Sequence, residues 1–332
     1  MRVSPAHVRL VGRYLLLAAA AIVLNFLLPR AIPGDPLGLE AEEGLAMAGA
    51  LPSAVRAQLR AYYQLDEPFP VQFGRYLAGL ARLDLGWSIS RNAPVAAVLA
   101  ERLPWTVGLV LVATILAAAM GTAAGMWAAW QGGRRGQAIV SAGVLLAALP
   151  EFLLAMGLLL VFAVWLRRLP VQGGRTAFAV YSDGWAGMLA AAADVAAHLI
   201  LPGATLLLAH SAAFVLLARA AMLGTLHAPY LVTARAKGLS ETAVAVGHAF
   251  PNAALPVLTL LALRIGLVFG GAIVVERVFA VPGVGLLAYQ AVRARDYPLM
   301  QAIFLLASLA VLAMSLVVEV AYQRFDPRAG PG

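Results

Sequence analysis

Apolar residues gather in long blocks along this chain of 332 residues, and the length of the blocks decides its class. A helix that crosses a bilayer needs about 20 predominantly apolar residues. Six segments meet that requirement: Leu10–Ile32, Pro104–Trp130, Ala138–Leu166, His198–Met222, Ala253–Val275 and Pro298–Tyr322. They predict an all-α integral membrane protein with six transmembrane helices, and an even number places both termini on one side. Two polar interruptions break the pattern. The first, Pro33–Leu103, opens with a Gly34-Asp35-Pro36 turn and has a helix-like stretch around Ser53–Tyr63. Leu65-Asp66-Glu67-Pro68-Phe69-Pro70 ends that stretch, and an amphipathic segment follows over Val71–Leu83. The second interruption runs from Tyr230 to Pro256 and holds the only lysine of the chain, Lys237. Its small alanines, Gly238 and Leu255-Pro256 predict a short helix, a sharp turn, a second short helix and re-entry into apolar sequence. Gly238 suits the turn because glycine tolerates positive φ at no steric cost. Pro256 is expected in the first turn of the fifth span, where a missing N–H costs nothing.

The resulting division is a tail and first span over 1–32, a loop over 33–103, a five-helix core over 104–322 and a tail over 323–332. The polar hairpin lies at 223–255 within the core. No linker and no internal repeat separates these parts, so one membrane domain with an outer embellishment is expected.

Composition agrees with the pattern and removes other classes. Hydrophobic residues make up 62% of the chain and charged ones 12%, against about 25% charged in average proteins. The net charge of +8 comes from arginines scattered between apolar spans. They do not form the clustered basic face that nucleic-acid binding needs. Arg2, Arg9 and Arg13, with Arg134, Arg135, Arg235 and Lys237 in later loops, favour cytoplasmic termini by the positive-inside rule. Arg167, Arg168, Arg175, Arg293 and Arg295 count against it, and long loops such as the first translocate regardless of charge. No small-x-small cleavage site follows the first apolar run, so an uncleaved first span is expected. With no cysteine, disulfides, thiolate metal sites and a cysteine nucleophile are excluded.

Motifs for chemistry are missing. A P-loop needs Gly-x-x-x-x-Gly-Lys-Ser/Thr, and Lys237 precedes a single glycine without that frame. Gly283-Val-Gly-Leu-Leu-Ala288 matches Gly-x-Gly-x-x-Ala but follows Pro282 after a span, with no βαβ unit, and reads as a turn. There is no Gly-x-Ser-x-Gly, no His-Glu-x-x-His and no hydrolytic carboxylate pair. His7, His198, His210, His227 and His248 share no i, i+3 or i, i+4 spacing, so no metal site is expected; His198 and His210 read as interfacial anchors or interhelical hydrogen-bonding groups. Charges inside spans are costly and usually face water or a partner. Glu151 and Arg264 stand near the middle of the third and fifth spans, on a path or paired with each other, and Glu276 is a further pore candidate. Glu276 and Glu319 lie near span ends, where snorkelling is the cheaper account. Gly121-x-x-x-Gly125 and Gly266-x-x-x-Gly270 fit close helix packing.

Several blocks in order resemble the permeases of ABC importers, in the dipeptide, oligopeptide and nickel branch. They are Pro33-Gly-Asp-Pro36, Leu65-Asp-Glu-Pro68 with Gln72-Phe73, Asp84-Leu-Gly-Trp-Ser88 and Pro94-Val95. The central block includes Tyr230, Ala234-Arg235-Ala236-Lys237-Gly238-Leu239-Ser240, His248, Asn252 and Leu255-Pro256. Gly270–Glu276, Phe279, Pro282-Gly-Val-Gly285, Arg295-Asp-Tyr-Pro298 and Asp326-Pro-Arg328 complete it. Three departures occur. Val232-Thr233-Ala234 stands where the broader family has Glu-Ala-Ala, as this branch does. Leu83 and Gln64 stand where the family usually has glycine. Arg264 stands where the branch usually has glutamine.

The resemblance implies a type I importer permease in a bacterial inner membrane, with an extracytoplasmic first loop and a cytosolic coupling loop. The hairpin would dock an ATPase through Tyr230, Ala234 to Ser240, His248, Asn252 and Pro256, with Ala234 and Ala236 keeping the first helix slim. The implied partners are a second, homologous permease, two ATPase subunits that hold ATP and Mg, an extracytoplasmic solute-binding protein and membrane lipid. No cofactor is expected in this chain. Peptides, glutathione and nickel chelates are the solutes the branch carries. A secondary transporter or channel is the alternative, and would call for inverted repeats and broken helices.

Overall fold

The computed structural model describes residues 5–31, 66–268 and 272–325, and they are mostly helical. In chain order, α1 spans Pro5–Ala31, α2 Phe69–Ala81, and two short strands β1 (Trp87–Ser88) and β2 (Ala93–Pro94) pair antiparallel. Then come α3 (Val95–Gln131), α4 (Gly133–Ala148), α5 (Glu151–Trp165) and α6 (Trp185–Leu226). The polar hairpin holds α7 (Pro229–Ala236) and the start of α8 (Glu241–Leu267). The rest is α9 (Ile273–Val278), α10 (Val284–Arg293) and α11 (Tyr297–Phe325). Contacts divide the chain into two compact units, one of Met1–Leu103 with Leu287–Leu312 and one of Pro104–Leu286 with Ala313–Gly332.

Among the described residues, five helices are long and apolar enough to cross a membrane, and the pair α4–α5 makes a sixth if it counts as one span. That pair bends by 100°, where an unbroken third span was expected. Leu149 adopts φ −83°, ψ 122°, because the ring of Pro150 excludes the α region for the residue before it. The fifth span also differs from expectation. It begins at Glu241, runs through a π-helical turn at Ala245–Ala249 and stops at Leu267. Residues 273–275 belong to the separate α9. Pro256 therefore lies inside the helix and not in its first turn, and its missing N–H removes a helical hydrogen bond. At about 1.5 Å per residue, the 42 residues of α6 exceed the roughly 30 Å hydrocarbon core, so part of this helix projects beyond it.

In the first unit, the amphipathic segment expected over Val71–Leu83 is α2. Pro70 sits at its start, where a missing N–H is harmless. Beyond its end, Leu83 is 87% exposed with φ +58°. The β1–β2 ribbon is tied down by Asp296, which is fully buried. Ser88 Oγ (2.6 Å), Ser90 N (2.9 Å) and Ser90 Oγ (2.8 Å) donate to its Oδ2. Leu299 N donates to its Oδ1 at 3.2 Å, so Asp296 also caps α11. The helix expected around Ser53–Tyr63 lies outside the described residues.

In the second unit, α3 and α6 pack backbone to backbone. A Cβ on Gly121 would stand 2.7 Å from the Ser211 carbonyl oxygen and 2.8 Å from Phe214 Cβ, and one on Gly125 would overlap the Val215 carbonyl. The first small-residue pair is thus a packing motif of the kind found between membrane helices. Gly266 is buried; Gly270 lies outside the described residues.

Candidate coupling surface and polar core

The hairpin between α6 and α8 is built as a polar cap on an apolar base. Leu231 and Ala234 on α7, with Val244, Ala245 and Ala249 on α8, are buried against Met126, Phe214, Ala218 and Met222. From Arg235 to Ala243 every residue is exposed. The turn is tight: Lys237 N donates to Thr233 O, Gly238 N donates to Arg235 O, and Gly238 takes φ +77°. Ser240 caps α8, its Oγ accepting from Ala243 N at 3.3 Å. Arg235 closes the two helices onto each other by donating to both Glu241 oxygens, at 2.9 and 3.3 Å.

This geometry sorts the sequence-derived coupling residues. Tyr230, Arg235, Ala236, Lys237, Gly238, Leu239, Ser240, His248, Asn252 and Pro256 are exposed. Ala234 is not: at 3% exposure it packs into the chain's own core, where its small size seats α7 against its neighbours. Asn252 Nδ2 donates to the His248 carbonyl at 2.8 Å, and Tyr230 Oη to the same carbonyl at 3.5 Å.

A second polar cluster lies among the spans of the second unit. His210 on α6 is 8% exposed; its Nδ1 is 3.1 Å from Thr114 Oγ1 on α3, the interhelical bond expected of it. Its Nε2 stands 4.0 Å from Glu151 Oε1. Glu151 occupies the first turn of α5, where free N–H groups and the helix dipole favour a carboxylate. The bend at Pro150 thus brings a helix N-terminus beside His210. No Glu151–Arg264 ion pair forms among the described residues; Glu151 faces His210 instead.

Glu276 was expected near the surface of a span end. It is fully buried, because partners from two other segments reach it. Thr106 Oγ1 donates to its Oε1 at 2.8 Å and Leu286 N to its Oε2 at 2.9 Å. Thr106 Oγ1 also accepts from Val284 N at 2.7 Å. Burial pushes the Glu276 carboxyl up, against the pull of these donors. A Cβ on Gly283 would overlap this carboxylate and one on Gly285 would come within 3.0 Å of it. The Gly-x-Gly turn is therefore a clasp around Glu276. Thr106 and Thr114 had no signal in the sequence, since a threonine in a span reveals nothing of a partner 170 or 96 residues away. Among the described residues, no three His, Cys, Asp or Glu side chains gather to hold a metal.

A helical protein with several candidate membrane spans and an exposed polar hairpin between two of them is the class that these features define. Residues 121–331 match the family described as binding-protein-dependent transport system inner membrane component, and the chain belongs to that family. It is 34% identical to a probable peptide ABC transporter permease protein of Sinorhizobium fredii, over 96% of this chain and 97% of the relative. It is 36% identical to a putative peptide permease protein of Brucella suis, over 97% of each. With the glutathione transport system permease protein GsiC of Escherichia coli it shares 38% identity over 92% of each chain. The chain is a multi-pass membrane permease subunit of an ABC importer.

Proposed function

We propose that this chain forms half of the translocation pore of an ATP-driven importer of short peptides or glutathione-like peptides. The relatives named as peptide and glutathione permeases support the substrate class. The observation that carries the coupling role is the exposed Arg235–Ala243 surface, fixed by a buried apolar base and a positive-φ glycine. ATP binding and hydrolysis belong to two separate subunits that grip this hairpin. A homologous permease completes the pore, a solute-binding protein delivers the solute from outside, and both termini face the cytoplasm of a bacterium. The chain itself catalyses nothing and holds no cofactor. Glu151, His210 and Arg264 offer charge of both signs for the ammonium and carboxylate ends of a zwitterionic peptide passing between the spans.

The test is uptake of a labelled dipeptide into proteoliposomes holding the complete complex with its binding protein. ATP-driven accumulation that disappears when this chain or the ATPases are left out is the expected result. Accumulation by this chain alone, driven by an ion gradient, would replace the reading with a secondary transporter.

A further inference from the structure

Where α1 and α11 meet the first loop, a cavity of about 240 Å³ opens within the first unit. Arg30, Gln72, Arg75, Tyr76, Asp84 and Gln301 supply its polar wall. Arg30 is the penultimate residue of α1, and Gln301 lies near the start of α11, so the cavity stands at the level where two candidate spans end.

The polar groups around it lack one kind of partner. Arg30 Nε (3.1 Å) and Nη2 (2.8 Å) donate to Gln72 Oε1, and Nη1 donates to the Phe26 carbonyl at 2.8 Å. Its guanidinium also lies 3.7 Å over the Phe26 ring. All of these partners are neutral, and no carboxylate pairs with Arg30 among the described residues. Gln301 is 8% exposed and its Nε2 has no hydrogen-bond partner; the Tyr76 hydroxyl is likewise buried and unpartnered. Buried donors without acceptors are unfavourable, and so is a half-buried cation without an anion. The carboxylate on the wall, Asp84, is engaged by Gly86 N at 2.9 Å. Arg75 touches Glu67 at 3.9 Å, on the exposed side.

An acceptor-only anion would satisfy Arg30, Tyr76 and Gln301 together. We propose that this cavity binds the phosphodiester of an anionic phospholipid headgroup, one that carries no ammonium to offset its charge and repel Arg30. The cavity lies beside the end of one candidate span and the start of another, and α1 exposes Leu24, Leu27 and Leu28 within two turns of Arg30, a surface suited to acyl chains. Arginine matches phosphate geometry through paired N–H donors, and basic pockets between membrane helices hold anionic headgroups.

The full-length protein, reconstituted in nanodiscs of equal phosphatidylglycerol and phosphatidylcholine, would be released and its retained lipids counted by native mass spectrometry. Phosphatidylglycerol is expected to be retained in preference to phosphatidylcholine. Arg30→Gln should lower that retention about tenfold, as loss of a charged hydrogen bond implies. Gln301→Leu, which keeps the charge and removes the orphaned donor, should lower it about threefold. Arg134→Gln, remote in sequence and outside the cavity wall, should leave it unchanged. If Arg30→Gln fails to fold, the Gln301 variant decides alone. Equal retention of both lipids by the wild type, or wild-type retention by both cavity variants, overturns the proposal. Binding of free glycerol phosphate with no preference between the lipids also overturns it, in favour of a soluble anion.

Discussion

Leu83 holds a backbone conformation that its side chain resists. Its φ of +58° is the left-handed region, which costs a residue with a Cβ about 1–2 kcal/mol, and its side chain is too exposed to recover that by packing. Glycine, which the family resemblance implies at this position, would hold the same turn without strain. Leu83→Gly is expected to raise the thermal stability of the purified protein by up to about 1 kcal/mol. Glu276 is the opposite case, a costly group made favourable by its surroundings. Glu276→Ala should strand Thr106 and the Leu286 amide, at about 1–3 kcal/mol for each buried group left unpaired. Glu276→Gln keeps one acceptor and should cost less; thermal unfolding in detergent checks both. In the polar core, Glu151→Gln and Arg264→Gln are each expected to reduce peptide uptake, and wild-type uptake by both would remove them from the path. The glycines were legible in the sequence because a positive φ or a helix crossing leaves small residues as its trace. The environments of Glu276 and His210 were not, because they depend on threonines far along the chain.

Among the elements, the hairpin was read most fully from sequence, because its short helices and turn are governed by local chemistry: Gly238 at positive φ and alanines on a slim first helix; that Ser240 caps α8 came from the structure. What local chemistry could not give was the facing of α7, which turns Ala234 inward. The bend between α4 and α5 was missed for a related reason. Hydropathy counts residues and treats Ala138–Leu166 as one span, whereas Pro150 restricts Leu149 and splits it. Gly238→Asp is expected to insert normally but to abolish ATP-driven uptake, since it strains the positive-φ turn or places a side chain and a negative charge on the exposed surface that the ATPase would grip. Full uptake by that variant would separate the hairpin from coupling. The Arg235–Glu241 pair is exposed, so Glu241→Gln should change stability by less than about 1 kcal/mol.

For the whole molecule, the class was visible in composition and block length, while the orientation rests on arginines that point both ways. The bent pair matters here, since counting it as a span fixes which side the C-terminus occupies. An absence of native cysteine makes the account directly testable. With the ATPase subunits present in membranes, Ser240→Cys on the hairpin tip should form a disulfide cross-link with a cysteine placed on the ATPase surface, while Ser182→Cys should not. Cross-linking from Ser240 that changes with ATP is the expected result. Failure of Ser240→Cys to reach any ATPase position, together with its labelling by an impermeant thiol reagent from outside intact cells, would contradict the hairpin as the cytoplasmic coupling element.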